Sequence, residues 1–424
     1  MNTKKLQLFI STIYILSSFA FNQVSPCVDY SCDSLVVRTI LDSSLENEKA
    51  VSQVTDTING RITMVNIVHS GLTSLPKEIG KLTALKELLL TDNKLTNLPK
   101  EINALTSLQR LQLKGNQFKS LPNVIFELVE LVNLNLDQNQ LTSLPPDISK
   151  LTQLAIFNVN DNLLINIPIE LGNMTLLKSL GIKGNKLTSF PIQITNLTEL
   201  NVLALSGNNL NTIPASIGNL TKLTSLSFWD CQLTSIPVEL SSLILLNLLN
   251  LNDNQLNSIP TEIVTMPNLY SLGVRNNFLT SLPPEIIKRE FSILVEGNRL
   301  CSLPDSIVAW LDSNTFVDSS TTWFETQRLD GSTYCDGTGN ELPVLKPNDE
   351  LNILNTPFKK QITFIFSTHK KLSLFIYNTQ GKLVNKSENV VNSAIWNTTN
   401  QNSGVYYLKA IRDQKQINRK FVVK

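Results

Sequence analysis

Between Ile62 and Asp312 the chain repeats one phrase eleven times. From Leu85 it reads L-x-x-L-x-L-x-x-N-x-L-x-x-L-P-x-x-I-x-x-L, and the next copy opens 23 residues later at Leu108. Pro76, Pro99, Pro122, Pro145, Pro168, Pro191, Pro214, Pro237, Pro260 and Pro283 recur every 23 residues, and Pro304 follows after 21. Six residues ahead of each proline stands a second marker: Ser70, Asn93, Asn116, Asn139, Asn162, Asn185, Asn208, Cys231, Asn254, Asn277 and Asn298. A unit this short cannot enclose a core of its own. Copies must stack and bury their apolar side chains against their neighbours.

The first half of each copy reads as a short strand. Leu85, Leu88 and Leu90 point one way, and Glu87, Leu89 and Thr91 the other. The chain then has to turn back to its starting side. An asparagine at the turn can satisfy backbone N–H and C=O groups that the turn leaves inside the stack. Cysteine is a small, weakly polar substitute at that place. The second half, such as Leu98-Pro99-Lys100-Glu101-Ile102, is the returning arm. Its proline fixes φ and forbids strand pairing, while Ile102 and Leu105 return to the core.

These motifs resemble the leucine-rich repeat, whose signature is L-x-x-L-x-L-x-x-N/C-x-L. The longer form L-T-S-L-P-x-E-I-x-x-L-T-x-L resembles the 23-residue subclass of bacterial leucine-rich repeat proteins and of the Ras-adaptor (Shoc-2-like) group. The resemblance implies an α/β-type solenoid of short parallel strands with an irregular or short-helical convex arm. Ser70 in the first copy and the shortened last copy are the departures expected of end repeats.

The segment before the repeats reads as a leader and a cap. Lys4 and Lys5 precede an apolar run from Leu6 to Leu16, and Ser18-Phe19-Ala20 fits a cleavage site. That run is shorter than the ~20 residues a bilayer span needs, and no other segment reads as a span once the leader is removed. In 21–60, Asp33 reads as a helix N-cap followed by Leu35, Val36, Ile40 and Leu41 at helical spacing. Asn59-Gly60 is a turn signal. Cys27 and Cys32 before the repeats, and Cys301 and Cys335 flanking the region just after them, are candidate disulfide pairs suited to an exported chain. Cys231 is left over from both pairs and reads as a buried thiol in the asparagine row.

After Leu311 the period stops. A cap and linker are expected over 313–350. The composition then changes, because 351–424 holds twelve Lys/Arg against two acids, a net of +10. The whole chain is only +1, with 36 basic and 35 acidic residues, so 1–350 carries −9. Six or seven short alternating strands there, including 362–366, 372–377, 381–384, 394–396, 404–410 and 419–424, read as a small all-β Ig-like sandwich. Ile376-Tyr377-Asn378-Thr379-Gln380-Gly381-Lys382-Leu383-Val384, Ser403-Gly404-Val405-Tyr406-Tyr407-Leu408 and the terminal Lys420-Phe421-Val422-Val423-Lys424 resemble the C-terminal sorting domain of type IX secretion. Asn355-Thr356-Pro357-Phe358 interrupts the Asn-Pro pair with which that family usually opens. The resemblance implies a bacterial protein with export machinery as one partner, secreted or held at the outer cell surface.

The resulting organisation is a signal peptide over 1–20, an N-terminal cap over 21–60 and leucine-rich repeats over 61–312. A cap and linker over 313–350 and a β-sandwich over 351–424 complete it. Catalytic chemistry finds little support. The only histidines are His69 and His369. No Gly-rich phosphate loop follows a strand, no metal-ligand spacing appears and no cofactor motif is present. The basic tail interleaves its lysines with strand-forming residues and lacks a groove-reading motif, which argues against nucleic acid. The outward strand face is mostly small and amide-rich. On it Trp229, Asp230, Asn252, Asp253 and Arg275 fall on three adjacent strands, and Trp and Arg are enriched at binding hot spots. The expected function is recognition of a protein or carbohydrate partner on that face. The alternatives are an intracellular-type scaffold or a non-catalytic subunit of a secreted enzyme complex.

Overall fold

The computed structural model describes residues 25–300 and 303–314. Beyond them it describes 328–329, 333–334, 351–356, 361–366, 372–378, 380, 382–390, 393–397, 404–412 and 415–423. The expected signal peptide, Cys301, Cys335 and the linker before Leu351 lie outside the described residues.

Twelve strands succeed one another in chain order. A hairpin of β1 (Thr55–Ile58) and β2 (Arg61–Asn66) comes first, turned by Asn59 and Gly60 at φ 50° and 72°. Then come β3 (Glu87–Leu89), β4 (Arg110–Gln112), β5 (Asn133–Asn135), β6 (Ile156–Asn158), β7 (Ser179–Gly181), β8 (Val202–Ala204) and β9 (Ser225–Ser227). The last three are β10 (Leu248–Asn250), β11 (Ser271–Gly273) and β12 (Ser292–Leu294). The chain divides into two compact units. The first runs to Cys231 and includes Ser242–Leu246; the second holds Gln232–Ser241 and everything from Asn247.

Within the first unit β2 to β9 pair parallel, each residue with its counterpart one repeat on, as Leu88 does with Leu111. Within the second, β10 pairs with β11 and β11 with β12, the last step taking Leu272 to Ile293 across the shortened copy. The inward central residue of every strand from β2 to β12 is buried, as is the apolar residue after each turn; the apolar residue before the proline is buried in nine copies, and Phe190 and Leu303 are half-buried. One sequence period therefore becomes one core layer.

The returning arms are single 3-10 turns, from Lys77–Lys81 to Pro284–Lys288, replaced once by a four-residue α-helix, α2 (Thr261–Val264). The chemistry is visible in the second copy. Pro99 holds φ −65° in extended backbone, Ile102 donates its N–H to the Pro99 carbonyl at 3.1 Å, and Leu105 donates to Ile102 at 3.0 Å. Proline pre-sets the entry, and i to i+3 bonding suits a run too short for an α-helix. Ile102, third in the turn, is buried.

The N-terminal helix α1 (Tyr30–Asp42) packs on β2 and the first 3-10 turn. Two expectations about it need correction. Its N-cap is Asp29, whose carboxylate accepts the Cys32 N–H at 2.9 Å, not Asp33. Asp33 lies one turn inside, fully buried, where it accepts from Arg61 Nε (2.8 Å) and Nη2 (3.1 Å) and from the Ile62 N–H (2.9 Å). It joins helix to sheet rather than starting the helix. That hydrogen bond, ahead of opposing desolvation, raises the Arg61 guanidinium above its ordinary value. The buried stripe is Val36, Val37, Ile40 and Leu41, while Leu35 is 69% exposed. The helix therefore starts earlier and is rotated relative to the sequence reading.

At the other end, the last returning arm is a ten-residue helix, α3 (Asp305–Asn314). It buries Ile307, Trp310 and Leu311, whose i, i+3, i+4 spacing is helical. The Trp310 indole N–H donates to the Arg289 carbonyl at 2.8 Å, and its ring lies 5.3 Å from that of Phe291. A two-residue pairing of β13 (Arg328–Leu329) with β14 (Thr333–Tyr334) follows.

The C-terminal segment forms two antiparallel sheets. β15 (Leu351–Thr356), β16 (Gln361–Phe366) and β19 (Ser393–Asn397) make one, with β16 central. β17 (Leu372–Asn378), β18 (Leu383–Val390), β20 (Gly404–Arg412) and β21 (Lys415–Val423) make the other, in the order β18-β17-β20-β21. Ile362, Phe364 and Trp396 from the first sheet share one apolar cluster with Leu374, Ile376, Val390, Tyr406 and Leu408 from the second. The motif between Ile376 and Val384 turns on Asn378, whose side-chain oxygen accepts from the N–H groups of Gln380 and Lys382.

Candidate binding surface

Two rows of side chains underlie the outward strand face, and the buried one fixes the other. Asn93 is typical. Its Oδ1 accepts from the N–H groups of Ser70 (3.1 Å) and Leu72 (3.0 Å), and its Nδ2 donates to the carbonyls of Ile67 (2.8 Å) and Leu90 (3.0 Å). One amide thus serves both its own copy and the preceding one. Asn116, Asn139, Asn162, Asn185, Asn208, Asn277 and Asn298 repeat the backward and local donations. Asn254 accepts from the Leu233 N–H at 2.9 Å and donates to the Leu251 carbonyl at 3.0 Å. All nine from Asn93 to Asn298 are buried.

Cys231 occupies the same place and directs its Sγ at the Leu205 carbonyl (3.4 Å) and the Trp229 carbonyl (3.6 Å). A thiol sulfur is a weaker acceptor than the amide oxygen, and the local backbone pairs differently. The Leu210 N–H donates instead to the Cys231 carbonyl at 3.1 Å, as does that of Asn211 at 3.2 Å. Asn211 takes a left-handed φ of 60° there. Burial, with the Asp230 charge adding to it against backbone hydrogen bonds, pushes the thiol up to about 11. At the first copy, Ser70 donates its hydroxyl to Glu46 at 2.6 Å.

The residue before each marker is left-handed in all eleven copies. His69, Asp92, Gly115, Gln138, Asp161, Gly184, Gly207, Asp230, Asp253, Asn276 and Gly297 have φ between 52° and 70°. Glycine tolerates this region freely, and Asn and Asp visit it more readily than most residues. The recurrence of Asp92, Asp161, Asp230 and Asp253 on this row therefore has a backbone cause, visible in the sequence as a column of residue types suited to φ above zero. Three of the four glycines on this row, Gly115, Gly184 and Gly297, each follow a side chain that would block a Cβ. A Cβ on Gly115 would lie 1.9 Å from Asp92 Oδ1, one on Gly184 2.3 Å from Asp161 Oδ1, and one on Gly297 2.1 Å from Asn276 Oδ1.

The outward row next to it carries a second set of bonds. Each acceptor side chain takes the backbone N–H one repeat on: Asp137 from Asn160 (2.7 Å), Asn160 from Lys183 (2.8 Å), Ser206 from Trp229 (3.2 Å) and Asn252 from Arg275 (2.7 Å). Burial raises the Asp137 carboxyl above its ordinary value, opposed by the Asn160 hydrogen bonds and by Lys114.

The five candidate residues divide between the two units. In the first, Trp229 is 39% exposed, with the Lys183 ammonium 6.0 Å from its ring centroid, and Asp230 holds the left-handed position. In the second, Asn252 is bound to the Arg275 N–H as above, Asp253 Oδ1 accepts from Asn276 Nδ2 at 2.7 Å, and Arg275 pairs with Glu296 at 3.4 Å. Sequence reasoning missed Lys183, which is one row from β7 and two copies from Trp229. Cys27 and Cys32 form a disulfide with Cα atoms 5.3 Å apart. Among the described residues no group of three His, Cys, Asp or Glu side chains is placed to hold a metal ion, and no helix is long and apolar enough to cross a membrane.

Short parallel strands, 3-10 returning turns and an asparagine ladder in each unit define a leucine-rich repeat solenoid, here followed by a small antiparallel domain. The chain matches the leucine-rich repeat region over residues 65–163, the leucine-rich repeat over 196–220 and the secretion system C-terminal sorting domain over 353–424. Among solved structures it is similar to a leucine-rich repeat protein of Leptospira interrogans, with 37% identity and a TM-score of 0.53, covering 57% of this chain and 62% of that one. It is also similar to the Arabidopsis receptor kinase HAESA ectodomain in complex with an IDA peptide hormone ligand: 26% identity, TM-score 0.56, 65% of this chain and 52% of that one. An internalin of Listeria monocytogenes shares the fold at 18% identity and a TM-score of 0.52, over 67% of this chain and 91% of that one. The chain thus spans less than two thirds of the Leptospira and HAESA chains. No curated protein matches it.

Proposed function

We propose that this protein is exported and acts outside the cell or on its outer surface, as a non-enzymatic module whose concave strand face binds a protein or peptide partner. The observation that carries the reading is the division of labour on that face. The ladder and the left-handed row serve the backbone, whereas Trp229 and Lys183 are exposed on the row above it. The peptide ligand of the HAESA ectodomain supports a peptide-class partner, and the sorting-domain match supports export. The leader expected over 1–20 completes a two-step route in which the sandwich is read by export machinery and then removed or kept as an attachment.

Fractionation with terminal mass spectrometry of the mature chain tests the route. Loss of the segment up to about Ala20 and recovery outside the cell are expected; a full-length chain confined to the cytoplasm refutes export. A photo-crosslinking residue at Lys114 or Ser227 tests the face. Adducts are expected from those sites and not from exposed Asn196 on the returning arm, and the reverse pattern refutes it.

A further inference from the structure

Lys183 and Trp229 belong to copies two apart, yet the ammonium nitrogen reaches within 6.0 Å of the ring centroid. Between them the sheet carries small residues. Gly181 and Gly184 flank Lys183 on its own copy, and Ala204, Ser206 and Gly207 occupy the copy between. Ser206 is committed to the floor, accepting the Trp229 N–H at 3.2 Å and bonding the Ser227 hydroxyl at 2.7 Å. Two arginines on the face have carboxylate partners, Arg110 with Glu87 at 3.3 Å and Arg275 with Glu296 at 3.4 Å, and Lys114 stands near the Asp137 carboxyl. No carboxylate pairs with Lys183 among the described residues.

We propose that Lys183 and Trp229 form a subsite for an isolated acidic side chain on an extended peptide segment of the partner; this rests on the concave-face reading above. The indole face narrows where the exposed ammonium sits, so a carboxylate gains more from it than from a freely moving lysine. The indole receives the apolar residue beside the acid, as tryptophan commonly does at the centre of an interface. The missing side chains at Gly184, Ser206 and Gly207 let a main chain approach the sheet closely. Asp161 and Asp230 stand in the neighbouring left-handed row. Their charges oppose a run of acids and select a single one.

The test uses the full mature chain and short synthetic peptides on a Gly/Ser background carrying Phe-Glu, Phe-Gln, Phe-Lys or a run of Glu, read by fluorescence polarisation. Phe-Glu is expected to bind about tenfold more tightly than Phe-Gln or the Glu run. Lys183→Met should erase that preference, Lys183→Glu should transfer it to Phe-Lys, and Trp229→Ala should weaken every peptide, all with unchanged far-UV circular dichroism. Equal binding of Phe-Glu and Phe-Gln, a preference that survives Lys183→Met, or no binding of any peptide overturns the subsite. Bound peptide cross-linking to β7–β9 without acid preference overturns the subsite alone. Cross-linking only to the returning arms overturns the concave-face reading with it.

Discussion

Replacing Asn162 by alanine isolates what the ladder contributes. The side chain is buried. Its Oδ1 accepts from the Leu141 N–H at 3.0 Å, and its Nδ2 donates to the carbonyls of Leu136 (2.9 Å), Val159 (3.1 Å) and Asn160 (3.1 Å). Alanine leaves a buried N–H and two buried carbonyls without those partners, and the packed interior offers no obvious route for water. Leaving such groups unsatisfied costs about 1–3 kcal/mol, and several orphans at once put this change at the upper end of that range. Because Leu136 and Leu141 lie in the preceding copy, the loss falls on the interface between copies, which is where a solenoid holds its stability. Urea unfolding followed by circular dichroism measures it, with exposed Asn196→Ala as the control expected to stay within about 0.5 kcal/mol. Equal midpoints for the two variants would refute the argument that the amide holds copies together.

Gly115→Ala places a Cβ where φ is 68° and Asp92 Oδ1 is 1.9 Å away, so it should destabilise by about 1 kcal/mol or more; adding Asp92→Ala should recover part of the loss in a double-mutant cycle. The Cys231 thiol, buried and pushed up to about 11, stays protonated at neutral pH, so iodoacetamide should label it only on unfolding, as peptide mass mapping would show. Asp137, whose carboxyl is raised by burial, contributes stability that is fully present below the ordinary aspartate value and is lost as pH rises through its higher folded value. Asp137→Asn keeps an acceptor for the Asn160 N–H, so its unfolding midpoint should lack that decline on going from acid to neutral pH; an identical decline in both proteins would refute the assignment.

The sequence by itself determined the solenoid, because a 23-residue period with apolar positions in fixed register admits few ways to bury them. It also placed the asparagine row in the core and marked Cys231 as its substitute, since both follow from counting. The left-handed row was equally legible, as a column of His, Asp, Gly, Gln and Asn, but its meaning depends on backbone torsions that residue types alone suggest and do not fix. Other features needed the tertiary structure. Asp33 looks like an N-cap in one dimension, but Arg61, 28 residues away, and the buried Ile62 N–H claim its carboxylate. The helix over Asp305–Asn314 forms at the end of the shortened last copy, where Ile307, Trp310 and Leu311 bury themselves at helical spacing. Lys183 and Trp229 are 46 positions apart, two whole periods. Reading the rows placed both on one column, but only the tertiary structure sets the ammonium 6.0 Å from the indole centroid. A repeat fixes where each backbone atom lies to within a period. What flexible side chains do between rows is decided in three dimensions.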